Sequence, residues 1–267
     1  MTDVSSGVTS SGVTVANGGT LQVLGQGTTI GTLVGNSGTE IVSSGGVASA
    51  TLVNSGGTQI VSAFGYTSGT VISSGGTEIV SSRGQAYAPI VSNGGTEQVL
   101  NFGSTRSASI AGGTEIVSNG GVASSTSVSS GGTQVVSSGA YVYNTVIGSG
   151  GTEIVSTGGT AWTPTVSNAG TEQVLAGGVV WSAAVSNGGT QVVSSGGQGY
   201  ATSVVSGGML IVSSGGYTYS TRITVAAGSK CTTAATRITP LSAPAAPSRW
   251  PAAARTARPL AAAARFC

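Results

Sequence analysis

Residues Thr39–Gly57 read TEIVSSGGVASATLVNSGG, and near copies of this stretch fill most of the chain. The equivalents of its first residue, here called the anchor, stand 19 residues apart, except for one interval of 18 between Thr96 and Thr114. A fixed period of this length indicates units that stack on their neighbours and share one continuous core. The anchors are Thr20, Thr39, Thr58, Thr77, Thr96, Thr114, Thr133, Thr152, Thr171, Thr190 and Met209.

Two columns of β-branched residues run through the repeats. The third residue after the anchor is Val, as at Val42, and the fourteenth is Val or Ile, as at Val53. Such side chains pack well on a pleated surface, and small residues two positions before the second column fit the period of a strand. Glycines before each anchor and after the first strand supply corners, where they accept positive φ. The segments between glycines are too short and too rich in Ser, Thr and Val for a helix.

The repeats therefore predict an all-β fold, a parallel β-solenoid of about eleven 19-residue coils. Parallel crossovers favour a right-handed path. Two or three faces per coil both fit the pattern. We predict that the solenoid domain spans residues 1–228 and that a disordered tail rich in Ala, Pro and Arg spans residues 229–267.

Charge separates the same two parts. The overall net charge of +2 combines a net −4 on residues 1–228 with +6 on the tail. The tail arginines are scattered without an amphipathic period, so no nucleic-acid partner is predicted. Its alanines and arginines are what glycine codons encode when read one base out of frame, which suggests a frameshifted or artificial end. We find no cleavable leader and no apolar run of the ~20 residues that a transmembrane segment needs.

Residue types exclude several classes of chemistry. Because the chain has no His, imidazole catalysis and the common metal sites are excluded. Asp3 is the single Asp, so the calcium-binding repeats of other solenoids cannot form. Cys231 and Cys267 both fall in the tail and form no metal-binding motif. We predict no catalytic residue, no metal and no cofactor.

An acidic column follows the anchors by one residue. Neighbours in it would stand ~5 Å apart, the carboxyl separation of retaining glycosidases. Two charges at that distance repel by about 0.8 kcal/mol even in water, so we expect the column at a solvent-exposed edge. Strand alternation conflicts with this expectation, since it places the column on the face of the Val three residues after the anchor. A structural ladder is favoured over a catalytic pair, and Gln substitutions there should stabilise by at most ~1 kcal/mol. The column contains Glu40, Gln59, Glu78, Glu97, Glu115, Gln134, Glu153, Glu172 and Gln191.

An aromatic column occupies the tenth position after the anchor in five consecutive repeats. Rings at this spacing would stack face to face, either as a ladder that stabilises the coil edge or as a flat binding platform for sugar rings or a partner surface. The column contains Tyr143, Trp162, Trp181, Tyr200 and Tyr219.

The motif GGTEIVSSGG, with a near copy at Gly113–Gly121, resembles the passenger repeats of autotransporters such as the adhesin involved in diffuse adherence. The resemblance covers residues 4 to about 225. It implies a surface-exposed solenoid without catalysis that acts in adhesion or autoaggregation, and Ser/Thr O-heptosylation by a dedicated glycosyltransferase. The serines that follow the first strand are then the candidate acceptors. These candidates are Ser43, Ser44, Ser81, Ser82, Ser137, Ser138, Ser194, Ser195, Ser213 and Ser214.

The resemblance also implies a location at the cell surface, associated with the outer membrane. Members carry a signal peptide and a C-terminal β-barrel, and we recognise neither in this sequence. The expected partners are glycans or proteins on host or neighbouring cells, besides the modifying glycosyltransferase. The alternative from another class is a β-solenoid that binds or cleaves a polysaccharide.

Overall fold

The computed structural model describes residues 2–73 and 75–224, and each coil in this part contains three short strands. The strands form three parallel sheets of twelve strands each. The predicted β-solenoid is thus confirmed, with twelve coils instead of eleven, because Thr2–Val4 pairs with Thr20–Val23 and begins a further coil. The tail predicted over residues 229–267 lies outside the described residues.

The three sheets follow one another around each coil. Sheet 1 contains Thr2–Val4, Thr20–Val23, Thr39–Val42, Thr58–Val61, Thr77–Val80, Thr96–Val99, Thr114–Val117, Thr133–Val136, Thr152–Val155, Thr171–Val174, Thr190–Val193 and Met209–Val212. Sheet 2 contains Thr9–Ser11, Thr28–Ile30, Val47–Ser49, Tyr66–Ser68, Gln85–Tyr87, Ser104–Arg106, Val122–Ser124, Tyr141–Tyr143, Thr160–Trp162, Val179–Trp181, Gln198–Tyr200 and Tyr217–Tyr219. Sheet 3 contains Thr14–Val15, Leu33–Val34, Leu52–Val53, Val71–Ile72, Ile90–Val91, Ser109–Ala111, Ser127–Ser129, Val146–Ile147, Thr165–Val166, Ala184–Val185, Ser203–Val205 and Arg222–Thr224.

Equivalent positions of successive repeats pair directly, so each column of the sequence becomes a line along the rod. Thr96 still pairs with Thr114 across the interval of 18 residues, and Ser109 pairs with Ser127 in the next coil. The missing residue is therefore absorbed in the corner just before Thr114. The strands keep their register through the irregular repeat.

The first corner, between sheets 1 and 2, is a four-residue turn. In the coil of Thr39 the N–H of Gly46 donates to the carbonyl oxygen of Ser43 over 2.9 Å. The two central residues, Ser44 and Gly45, have φ values of 52° and 79°, which is typical of a type I′ turn. A Cβ on Gly46 would meet the carbonyl oxygen of Val23 in the preceding coil, which explains why most coils have glycine there and why the coil of Thr133 has only the small Ala140.

The second corner, between sheets 2 and 3, contains a single residue of positive φ. Ala50 (φ 52°), Asn144 (φ 55°) and Thr163 (φ 53°) are examples. Because this residue is not glycine in most coils, the sequence does not mark the corner. The structure therefore has three faces per coil, where the sequence left two or three open.

The core is a narrow space between the three sheets. Both β-branched columns point into it, as at Val42 and Val53, and sheet 2 contributes small residues such as Ala48, all of them buried. The third corner, between sheet 3 and the next anchor, repeats the geometry of the first, with Gly57 donating to the carbonyl oxygen of Asn54 over 2.7 Å.

Candidate functional site

The candidate acceptor serines all lie at the first corner, in one row along the rod. In the paired positions the first serine is half-buried and the second is exposed, whereas both serines of the last pair are exposed. The half-buried members are Ser43, Ser81, Ser137 and Ser194. The exposed members are Ser44, Ser82, Ser138, Ser195, Ser213 and Ser214. The second hydroxyl of each pair is therefore the more accessible.

The exposed serines occupy two kinds of turn. Ser44 and Ser138 have φ values of 52° and 49° and lie in type I′ turns. At Ser195 only the following residue, Gly196 (φ 76°), is left-handed, which is typical of a type II turn. A Cβ added at Gly45 would meet nothing within 4 Å, so the space beside the Ser44 hydroxyl is open to a modifying enzyme.

The third corner presents a second row of serines that the sequence prediction did not include. Ser55, Ser130 and Ser149 are exposed and have φ values of 49°, 50° and 47°. They occupy the same turn position as Ser44 at the first corner. The signal that could have identified them is the pair of glycines before each anchor, because it repeats the Gly-Gly that follows the first strand.

The aromatic column lies on the outer face of sheet 2, and three of its rings stack. The centroids of Trp162 and Trp181 are 5.4 Å apart with an interplanar angle of 9°. Those of Trp181 and Tyr200 are 4.2 Å apart at 14°. Tyr143 and Tyr219 continue the column at its two ends.

This stacking decides which surface the rings offer. Trp181 is covered on both faces by its neighbours, so it presents an edge to solvent. The hydroxyl of Tyr200 donates to Oε1 of Gln198 over 2.7 Å, which fixes that ring. The arrangement is that of the stabilising ladder. The flat binding platform remains a prediction, and the rings that could offer a free face to a ligand are those at the two ends of the column, Tyr143 and Tyr219.

The acidic column is buried, so the expected solvent-exposed edge is wrong. All six glutamates and three glutamines of the column are 0% exposed. Strict alternation along the four-residue strands of sheet 1 is the cause, since it points the first and third residues after the anchor into the core. Leu21 and the partly buried Leu210 occupy the same line at its two ends.

Threonine hydroxyls from elsewhere in the coils and a glutamine amide from the next coil donate hydrogen bonds to the first glutamate of the column. Glu40 accepts hydrogen bonds from Thr29 (2.9 Å), from Thr51 (3.1 Å) and from Nε2 of Gln59 (2.7 Å). The Oε1 atom of Gln59 in turn accepts from Thr70 over 2.9 Å. These hydrogen bonds satisfy both carboxyl oxygens of Glu40 and the amide of Gln59, which offsets the free-energy cost of burying them.

The same amide pattern recurs further along the rod. Nε2 of Gln134 donates to Glu115, and Nε2 of Gln191 donates to Glu172 over 2.8 Å. Within the described residues, no donor forms a hydrogen bond with either carboxyl oxygen of Glu97 or of Glu153. These two glutamates stand next to another glutamate in the column, and ionised carboxylates can only accept. A proton on one member is therefore needed to satisfy the pair.

Burial raises the pKa of these carboxyl groups. The pKa values of Glu78, Glu115 and Glu172 rise to about 7. Burial, followed by the charges of neighbouring glutamates, raises the pKa of Glu97 and Glu153 well above the usual range. Protonated carboxyls are thus part of the core near neutral pH. A buried column cannot contact a polysaccharide chain, so these glutamates cannot form the cleaving site of the alternative hypothesis.

Comparison with known proteins agrees with this architecture. Residues 44–95 match the family described as the adhesin of the bacterial autotransporter system, probable stalk. The crystal structure of the TibC-catalysed hyper-glycosylated TibA55-350 fragment is similar, with a TM-score of 0.75 and 35% sequence identity over 84% of this chain and 88% of that chain. A comparison with curated proteins finds no match.

Fold and repeats together define a passenger-type β-solenoid. The chain belongs to the family of autotransporter adhesin stalks. Among residues 2–73 and 75–224 there is no helix long and apolar enough to cross a membrane.

Proposed function

We propose that this chain is a non-catalytic cell-surface adhesin or autoaggregation passenger whose corner serines carry O-linked sugars. The observation that carries the proposal is the row of exposed serines, such as Ser44, Ser82 and Ser138, which recur at the equivalent turn position in several coils along the rod. The similar TibA fragment is hyper-glycosylated through TibC, which supports a dedicated glycosyltransferase as the modifying partner. The proposed location is the cell surface, in association with the outer membrane after export.

A repeated surface favours adhesion through many weak contacts. Each coil contributes the same corner, at a rise of ~4.8 Å per coil. Linked weak contacts can exceed the affinity of each single contact by about 10²–10⁴-fold, provided that the partner can engage several at once. The proposed partners are glycans or proteins on host or neighbouring cells, since such surfaces also present repeated groups.

A second candidate function is polysaccharide binding without cleavage. It rests on the aromatic column, whose end rings Tyr143 and Tyr219 are 38% and 71% exposed. Aromatic faces and edges both provide contact area for sugars. The stacked geometry of Trp162, Trp181 and Tyr200 favours the structural role, so we place adhesion through the corners first.

The test begins with modification. The full chain is co-expressed with a bacterial autotransporter heptosyltransferase and compared by intact mass with the chain expressed alone. We expect mass increments in steps of one heptose. The matched control is a Ser137→Ala, Ser138→Ala variant, which should lose the increments of one corner only. An unmodified mass, with the transferase active on its own substrate, would contradict the acceptor assignment.

Adhesion is then measured with beads coated with the modified or the unmodified chain. We expect retention of coated beads on cell monolayers, or clumping of the beads with one another, above the level of albumin-coated beads. Incubation with bacterial and plant polysaccharides, followed by a reducing-end assay, tests the enzymatic alternative. Release of reducing ends that disappears in a Glu153→Gln, Glu172→Gln variant would overturn the non-catalytic assignment.

A further inference from the structure

Three consecutive coils replace the corner glycine with large side chains. Phe64, Arg83 and Phe102 occupy the third position of the first corner, with φ values of 66°, 66° and 65°. A residue with a Cβ is strained in this left-handed conformation, while glycine is not. Glycine stands there in most other coils, at Gly45, Gly120, Gly139, Gly158, Gly177, Gly196 and Gly215.

The three side chains are exposed and contribute little packing to the fold. The Phe64 side chain is 62% exposed and the Phe102 side chain is 76% exposed, so both apolar rings lie largely in solvent. Arg83 is also exposed, and its guanidinium carbon lies 5.7 Å from the centre of the Phe64 ring. Strained backbone combined with exposed apolar rings indicates a surface kept for an interaction.

This corner is positively charged and has no carboxylate to neutralise it. Arg106 is exposed on the adjoining strand of sheet 2. The glutamates of the same coils, Glu78 and Glu97, are buried on the opposite side of the backbone, in the core. Among the described residues Asp3, in the first coil, is the one exposed carboxylate. A partner for this surface must therefore supply negative charge.

We propose that this surface, the Phe–Arg corner formed by Phe64, Arg83, Phe102 and Arg106, docks the rod on an anionic lipid surface. The three tips occupy equivalent positions of consecutive coils, so they form a row parallel to the rod axis, at ~4.8 Å intervals. A flat partner can touch the whole row at once. Phenyl rings insert at the boundary between headgroups and acyl chains, and guanidinium groups pair with lipid phosphates.

Other partners fit this combination less well. A soluble anionic glycan would satisfy the two arginines but leave the Phe64 and Phe102 rings in water. A neutral glycan would leave the arginines without a counter-charge. A lipid bilayer with acidic headgroups supplies the apolar layer and the negative charge in one surface, which is why the structure favours it.

The basic tail can also attract anionic vesicles, so the test needs a signal from the corner itself. Phe102→Trp places a fluorescent ring at the tip, and Ile90→Trp places one on the exposed outer face of sheet 3 in the same coils, far from the tail, as the matched control. Full-length chains are mixed with vesicles of phosphatidylcholine alone or with an equal part of phosphatidylglycerol, with or without brominated acyl chains. The emission added by the new indole ring is obtained by subtracting the unsubstituted protein.

We expect brominated anionic vesicles to quench the added emission of Phe102→Trp and not that of Ile90→Trp, and high salt to abolish the effect. Vesicle co-sedimentation should fall roughly 10-fold when Phe64 and Phe102 are both replaced by Gly, the residue of the other coils. Equal quenching of the two variants, or quenching of Phe102→Trp no greater than with brominated phosphatidylcholine alone, would overturn the proposal. Arg-dependent binding to dextran sulfate that ignores the Phe64→Gly, Phe102→Gly change would assign the corner to an anionic glycan instead.

Discussion

The buried acidic column predicts that this solenoid becomes more stable as the pH falls. Ordinary proteins lose stability in acid, because carboxylates paired with cations must take up protons. Here the folded state binds protons more tightly than the unfolded chain, since burial raises the pKa of Glu78, Glu115 and Glu172 from 4.5 to about 7. The stability that these three carboxyl groups contribute is therefore fully present below pH 4.5 and is lost as the pH rises through about 7.

The size of the effect follows from the pKa values. A difference between 4.5 and about 7 corresponds to about 3 kcal/mol of unfolding free energy for one carboxyl group. Neighbouring carboxyls influence one another, so the loss for the whole column is smaller than the sum over its members. Glu97 and Glu153 extend the loss to higher pH, because their pKa values lie higher still.

The assay is urea unfolding followed by circular dichroism at a series of pH values. Glu97→Gln removes one titrating group and keeps its shape, and its amide can donate to Glu115 as Gln134 does from the other side. We expect this variant to gain stability increasingly as the pH rises above 4.5 and to gain little below it, because burial raises the pKa of Glu97 well above its usual range. Asp3→Asn, at an exposed carboxylate, is the control. Stability that rises with pH, or a Glu97→Gln gain that is the same at every pH, would show that burial does not raise the pKa values of this column.

Three further predictions concern the register, the corners and the aromatic column. Val136→Asp should lower the unfolding free energy by about 3–5 kcal/mol, because it buries an unpaired charge. Ser137→Ala should change the unfolding free energy by less than about 0.5 kcal/mol. Equal melting temperatures of the two variants would contradict the strand register. Gly46→Ala should cost more than Gly45→Ala, because a Cβ at Gly46 meets the Val23 carbonyl whereas a Cβ at Gly45 meets nothing within 4 Å and should cost about 1–2 kcal/mol for its left-handed backbone; a smaller loss for Gly46→Ala in chemical unfolding would contradict this turn geometry. Trp181→Ala should lower the unfolding free energy by about 1–3 kcal/mol, because it removes two stacked ring contacts. Tyr219→Ala should lower it less, because that ring is 71% exposed. A smaller loss of stability for Trp181→Ala in thermal melting would argue against a stabilising ladder.

The sequence predicts the solenoid well because its strongest signals report on the core. Val42 and Val53 repeat in every coil, and their shape and spacing specify strands and pairing register. The second corner could not be predicted, since Ala50 and Thr163 adopt a left-handed conformation without a glycine to mark them. Tertiary packing imposes that conformation, and local sequence preference alone would not.

The acidic column shows a different limit of sequence reasoning. A charged carboxylate at Glu40 is expected in water, because burial of an isolated charge costs far more than repulsion between neighbours. The core instead supplies Thr29, Thr51 and Gln59 as donors to that residue. Those partners come from sheet 2, from the residue just before the sheet 3 strand and from the next coil, so only the folded arrangement reveals them. Alternation along the strand was the correct signal, and the expectation of a solvent-exposed column was wrong because these donors are distant in the sequence.

We propose that the corner serines of the rod accept sugar while hydroxyls of the core do not. Site-resolved mass spectrometry of the chain co-expressed with a heptosyltransferase distinguishes the two sets of residues. We expect heptose on exposed corner residues such as Ser44 and Ser138, and none on the buried Thr51 and Thr145. Heptose on those two threonines, or bare corner serines beside an active transferase, would contradict it.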